Sequence, residues 1–399
     1  MKIEKDMFDV NSYIKITENT SGYELSDLVS VCKRFNNKKR DYLFVNHIQG
    51  KHVPVKPSKA LKLMQQLACK VNDDKELKGK KICVVGFAET ATAIGRHVAS
   101  CLNDCVGVMQ TTRECLGNTK ELFTFDEEHS HAVSQKLYGD VNLLKDVDMF
   151  LFVEDEITTG NTILNFIDEF NKVLPNKEYA VASFLNWQSK EHENLFSSRG
   201  IRTYCLVRGY IKDISARINL YDNVFKASEN VIVDDLSYIN KETMIRKVTK
   251  SSFNQDRTVT LFNDGLGALH NSAYNIANDL HIEGKKVLVL GTEEFMYTGL
   301  MVAHGLEQRG VDVKFHATTR SPIALLNDGI QAENYVIKKG VKLPSIYYKD
   351  RVTYLYNIEE YDEVVLVTDT IGNVEFGVEI LKVLSVDGVA PKLTKVIIN

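Results

Sequence analysis

Five apolar residues in succession, Met149, Phe150, Leu151, Phe152 and Val153, run directly into three acids, Glu154, Asp155 and Glu156. An unbroken apolar run of that length has no solvent face, so it reads as a strand covered on both sides, the environment of a parallel sheet. The acids mark the strand end. A hydroxyl-rich turn follows, Thr158, Thr159, Gly160, Asn161 and Thr162; then Ile163, Phe166, Ile167, Phe170 and Leu174 recur at helical spacing until Pro175 stops them. Ligands of α/β sheets bind at the carboxyl ends of strands, and a helix N-terminus offers unpaired N–H groups to a phosphate. Acids beside such a cradle suit a ligand with hydroxyls and a phosphate, accompanied by a divalent metal. A sugar phosphate fits. The plainer alternative is a strand–turn–helix with a solvated acidic end.

The 399 residues exceed one typical domain, and two or three are expected. Apolar residues make up 44% and charged residues 26%, the balance of a soluble globular chain, and a net charge of −4 argues against nucleic acid as a partner. No apolar run reaches about 18 residues and the first residues lack a signal-peptide core, so no membrane partner and a cytoplasmic location are expected. Seven cysteines without a Cys-x-x-Cys pair read as reduced thiols, with Cys101 and Cys105 expected in the core on one helix beside Ile94 and Val98. No Walker A loop, nucleophile elbow, His-Glu-x-x-His or Gly-x-Gly-x-x-Gly is present.

The Met149–Thr162 segment resembles the PRPP-binding signature of the type I phosphoribosyltransferases: four apolar residues, an acidic pair, two further residues, then Thr-Thr-Gly-x-Thr. Glu156 departs from it, standing where that family places an apolar residue. The resemblance implies that Glu154 and Asp155 hold the ribose hydroxyls, directly or through Mg²⁺, and that Thr158, Thr159, Gly160, Asn161 and Thr162 hold the 5′-phosphate. It implies a pyrophosphate turn at another strand end. Gly86, Phe87, Ala88, Glu89 and Thr90 follow the β-rich Lys80–Val85 and supply one: Gly86 admits close backbone approach, and Thr90 or Thr92 is expected to cap the next helix. Arg113, ending Thr111-Thr112-Arg113, is a fixed cation suited to phosphate and is counted with Glu154 and Asp155 as catalytic. The polar stretch after it carries Glu128, His129 and His131, either a loop that closes over the site or a solvated charged loop. Lys51 and His52, before Pro54 and Pro57, are read as residues of a hood over the acceptor, or as surface residues.

The chain also repeats itself. Lys80–Gly86 aligns with Lys285–Gly291, Thr111-Thr112-Arg113 with Thr318-Thr319-Arg320, and Val153–Glu156 with Val367–Thr370, in one order and with a slowly growing offset. The second copy keeps Asp369 but replaces the Thr-Thr-Gly turn with Ile371-Gly372-Asn373-Val374-Glu375, and an acid there would oppose a phosphate. Its remaining polar residues, among them Glu293, Glu294, Arg320 and Ser321, serve either a related active site or a decayed scaffold.

Gly291–Tyr297 with Thr319-Arg320-Ser321-Pro322 looks like the TRSP domain found after a phosphoribosyltransferase domain, and the first half, with Lys39-Arg40, Gly50-Lys51-His52 and Glu127–Ala132, is similar to its orotate phosphoribosyltransferase-like partner. The expected fold is α/β, two tandem Rossmann-like parallel-sheet domains of phosphoribosyltransferase type, the second degenerate. Residues 1–190 form the first with its hood, 191–257 connect, and 258–399 form the TRSP-like second. The resemblance implies Mg²⁺-dependent transfer of ribose 5-phosphate between PRPP and a small nucleobase-like acceptor, in a homo-oligomer, for a nucleoside-like metabolite of stress or tellurite resistance. The alternative is a non-catalytic regulator that binds PRPP or a nucleotide.

Overall fold

The computed structural model describes all residues except 1–7, 36–39, 117–118, 126–133, 213, 215–217, 219–221, 231–243, 250–259, 262–264, 331, 349, 371–373, 386–390 and 399. The chain begins β1 (Ile14–Asn19), α1 (Leu25–Leu28) and the antiparallel pair β2 (Val29–Lys33) and β3 (Tyr42–Asn46). It continues α2 (Pro57–Asn72), β4 (Ile82–Gly86), α3 (Thr92–Cys101), β5 (Cys105–Gln110) and the hairpin β6 (Glu121–Phe125) and β7 (Gln135–Tyr138). Then come β8 (Met149–Ile157), α4 (Asn161–Val173), β9 (Glu178–Asn186), α5 (Lys190–Ser198) and β10 (Arg202–Ile211). The short strands β11 (Phe225–Lys226) and β12 (Glu229–Asn230), then β13 (Met244–Thr249) and β14 (Thr260–Leu261), lead to a helix at Gly265–Asp279. The second half runs β15 (Lys286–Gly291), a helix at Tyr297–Gln308, β16 (Asp312–Ala317), β17 (Leu325–Leu326), β18 (Gly340–Pro344), β19 (Val352–Tyr356), β20 (Glu363–Thr368), a helix at Val374–Leu384 and β21 (Lys392–Ile398).

Two sheets result. The first has the order β1-β10-β9-β8-β4-β5-β14, parallel from β10 to β5 with an antiparallel strand on each edge. The second, β13-β21-β20-β15-β16, is parallel throughout. Within them β9-β8-β4-β5 and β21-β20-β15-β16 correspond strand for strand, each with a hairpin inserted before its third strand in sequence. The repeat read from strand ends is thus a repeat of a four-stranded parallel unit within each sheet. The first sheet also extends through β10, so Arg202–Ile211, within the 191–257 taken above as connecting chain, pair inside it.

The apolar run at β8 is buried on both faces because its residues alternate between two cores. Phe150 and Phe152 pack with Phe166 and Phe170 of α4 on the outer side. Met149, Leu151 and Val153 face a core that includes Leu61, Ile94, Leu300 and Phe315 and so joins both halves. Small residues permit the close layers: a Cβ on Gly95 of α3 would lie 2.8 Å from the Cα of Gly86 in β4. Cys101 ends α3 while Cys105 opens β5, so the two do not share a helix. All seven cysteines are free thiols.

Candidate active site

The acidic run does not end the strand; β8 carries it to Ile157. Asp155 accepts a hydrogen bond from Thr90 Oγ1 at 2.8 Å, which ties the acidic strand to the turn after β4. Burial pushes the Asp155 carboxyl up from its ordinary value, and the Thr90 bond opposes it. Glu154 is partly buried beside it. Glu156, the departure from the expected pattern, has a specific partner: Arg40 Nη2 lies 2.6 Å from its Oε1. The Arg40 guanidinium sits 4.8 Å over the Tyr42 ring, and Phe44 packs on Trp187. The β2–β3 hairpin is thereby anchored to the strand end. Arg40 is named above only within Lys39-Arg40, and its partner is not legible in sequence, because the pairing joins positions more than a hundred residues apart.

The turn after β8 is built for a glycine. Gly160 has φ +78°, and a Cβ there would sit 2.4 Å from Phe196 Cζ. Gln188 Nε2 donates to Thr159 O, and the Asn161 N–H to Thr159 Oγ1. Thr158, Thr159, Asn161 and Thr162 are partly exposed where α4 starts, and α4 has no acid in its first turn. The arrangement is open to an anion.

The turn after β4 is held from several sides. Thr111 Oγ1 accepts from Ala88 N–H, Gln135 Nε2 donates to Ala88 O, and Gln49 Nε2 donates to Thr90 O. Phe87 turns away into the core against Phe125, Phe152 and Phe166. Neither expected threonine caps α3. Its N-cap is Ala91; Thr90 bonds Asp155, and Thr92 Oγ1 donates to Glu294 O in the second half.

Lys51 and His52 are neither surface residues nor open to a hood cavity: both are buried between the halves. Lys51 Nζ lies 2.5 Å from Glu89 Oε1 and donates to the carbonyls of Glu293 and Thr318. Neither ring nitrogen of His52 has a hydrogen-bond partner among the described residues, and burial, with Lys51 beside it, pushes the ring down to about 3, so it is neutral. Around Lys51 gathers a buried charge cluster. Arg320 Nε is 2.9 Å from Glu89 Oε2 and its Nη2 2.5 Å from Glu294 Oε1; Arg351 bonds Glu114 and Glu293. Arg113 donates its N–H to Glu294 Oε1 and its Nη1 lies 4.0 Å from Glu89. Burial opposes ionisation of Glu89, but Lys51 and Arg320 overcome it and hold the carboxyl well below the usual range. Ser321 closes the β16 turn onto Thr319, and Asp369 accepts from Tyr347 OH at 2.6 Å, where the first copy has threonine on Asp155. Glu128, His129 and His131 lie outside the described residues.

Among the described residues no group of three His, Cys, Asp or Glu is placed to hold a metal ion. Glu154 and Asp155 nonetheless fit Mg²⁺, which is held by one or two carboxylates together with substrate phosphate oxygens. A cation there would favour the ionised Asp155 that burial disfavours.

Residues 28–208 match a family described as phosphoribosyl transferase, and residues 263–384 match the TRSP domain that lies C-terminal to it. Solved structures to which the chain is similar include the adenine phosphoribosyl transferase of Trypanosoma brucei in complex with AMP, pyrophosphate and ribose-5-phosphate. It is 12% identical over 46% of this chain and 76% of its own, with a TM-score of 0.34. The adenine phosphoribosyltransferase of Rhodothermus marinus is 12% identical over 46% and 96%, with a TM-score of 0.32. That of Giardia lamblia, complexed with 9-deazaadenine, is 16% identical over 45% and 93%, with a TM-score of 0.33. No curated protein matches the chain.

Proposed function

We propose, for a chain whose residues 28–208 belong to the phosphoribosyl transferase family and whose residues 263–384 belong to the TRSP family, that the first sheet transfers the ribose 5-phosphate of PRPP to or from a nucleobase-like acceptor. One observation carries it: an acid held at the end of β8 is followed, on the same chain segment, by a Gly160 turn and an open helix N-terminus. The backbone N–H groups and hydroxyls of Thr158, Thr159, Gly160, Asn161 and Thr162 receive the 5′-phosphate. Glu154 and Asp155 hold the ribose hydroxyls, and their charge favours the cation-like sugar as the C1–oxygen bond breaks. The electron pair leaves with pyrophosphate, and an acceptor nitrogen closes the new bond at C1 with its own lone pair and releases its proton to solvent. The turn from Gly86 to Thr90, with Arg113 at its mouth, receives the pyrophosphate. Mg²⁺, when bound through Glu154 or Asp155, neutralises part of the charge on PRPP.

The test incubates the full chain with PRPP, MgCl₂ and a pool of bases and cell metabolites, following pyrophosphate and new nucleotides by mass spectrometry. Asp155→Asn is expected to abolish release while the fold persists. Release unchanged in that variant removes the assignment. PRPP binding without release, across the pool, favours a regulatory binding protein instead. A cytoplasmic location and a role in tellurite resistance belong to the same proposal. For the latter, Asp155→Asn should fail to restore tellurite tolerance to a strain lacking the gene.

A further inference from the structure

The contacts between the two sheets are reciprocal. Glu89, in the turn after β4, accepts from the backbone N–H of Arg320 at 3.1 Å, and Glu294, in the turn after β15, accepts from that of Arg113 at 3.1 Å. These are equivalent positions of the repeat. Each acid follows the glycine that ends its strand by three residues, and each arginine ends a Thr-Thr-Arg. The supporting bonds repeat as well. Thr111 Oγ1 accepts from Ala88 N–H at 2.8 Å and Thr318 Oγ1 from Glu293 N–H at 3.0 Å. Thr112 Oγ1 accepts from Glu114 N–H at 3.1 Å and Thr319 Oγ1 from Ser321 N–H at 3.2 Å. The two copies therefore face each other as the subunits of an isologous dimer would.

The symmetry breaks in the guanidinium groups. That of Arg320 bridges both acids, Glu89 at 2.9 Å and Glu294 at 2.5 Å, whereas that of Arg113 lies 4.0 Å from Glu89. Glu89 sits in the turn assigned to pyrophosphate, and an uncompensated carboxylate there would repel that ligand. Its charge is instead answered by Arg320, which comes partly buried from the second half, and by Lys51, which is buried with it.

We propose that Arg320 is a positioning residue of the phosphoribosyl-transfer site, contributed by the TRSP domain. It neutralises Glu89 and fixes the Gly86–Thr90 turn in the shape that receives pyrophosphate. The degenerate copy thus acts as a built-in partner subunit that completes the first site. This rests on reading that turn as the pyrophosphate site.

The experiment measures, by calorimetry in MgCl₂, the affinity of the full-length protein for pyrophosphate, PRPP and ribose 5-phosphate. Ribose 5-phosphate uses only the turn after β8 and the acids. Arg320→Gln is expected to weaken pyrophosphate and PRPP at least about tenfold, because a buried charge loses its partner, while ribose 5-phosphate stays within about twofold. Arg320→Lys keeps the charge but cannot span Glu89 and Glu294, so it loses pyrophosphate affinity to a smaller degree. Equal weakening of all three ligands, or of none, overturns the proposal. Should Arg320→Gln fail to fold, Arg320→Lys decides: pyrophosphate affinity equal to wild type overturns it. A wild-type protein that binds none of the three ligands overturns the transfer reading and this inference with it. Wild-type binding with an unaffected Arg320 variant overturns this inference alone.

Discussion

Asp155 illustrates how one residue's chemistry is set by its surroundings. Burial raises its carboxyl pKa and the Thr90 hydroxyl opposes the rise. Ionisation in the folded state is thus harder than in the unfolded chain, and stability falls as pH rises between the two values. Asp155→Asn should therefore melt no lower than wild type near neutral pH, with the difference closing below the unfolded carboxyl pKa. A thermal-denaturation series across pH checks this. Thr90→Val removes the opposing bond, so the acid limb of PRPP binding should move to higher pH; an unmoved limb in calorimetric titrations would mean that another group titrates. At Gly160, an added methyl meets both a left-handed backbone and Phe196. Gly160→Ala should cost about 2–5 kcal/mol in urea unfolding and lose ribose 5-phosphate binding. The need for glycine here is legible in sequence; Phe196, the side chain that enforces it, is not.

At the scale of elements, β8 and α4 were readable in advance because their patterns are local. A run buried on two faces has no polar residues, and a helix with one buried face repeats at helical spacing. The structure starts α4 at Asn161 and ends it at Val173, just before Pro175. Phe166 is the hinge of this packing, with its ring centroid 4.9–5.2 Å from those of Phe87, Phe123, Phe125 and Phe152. Phe166→Ala should cost about 3–5 kcal/mol and weaken phosphate binding at the helix start, both measurable on one purified variant. The start of α3 differs from the local pattern for a non-local reason. Thr90 and Thr92 have the chemistry of caps, but each hydroxyl is spent on a residue distant in sequence, Asp155 and Glu294. The hairpin β2–β3 is likewise fixed from outside, through Arg40 on Glu156.

At the scale of the molecule, the halves share one apolar core and one buried charge cluster, so they should unfold together. A single calorimetric transition is expected, and two resolved transitions would show that the halves are independent. Lys51→Met leaves Glu89 and two carbonyls short of a buried cation and should cost about 3–5 kcal/mol. Glu89 has its folded pKa below the unfolded value, so its contribution is full above the unfolded carboxylate range and is lost only as pH falls through the lowered folded value. The sequence by itself determined which strands are buried, which of them carries acids beside a glycine turn, and that the pattern occurs twice. Those properties are local, written in the order of neighbouring residues. Only the tertiary structure decided that Lys51 is interior rather than at the surface, that Glu156 belongs to Arg40, and that Arg320 and Arg113 each reach an acid of the opposite copy. Which buried charges meet depends on how the two sheets pack, and the spacing of charges along the chain does not encode that.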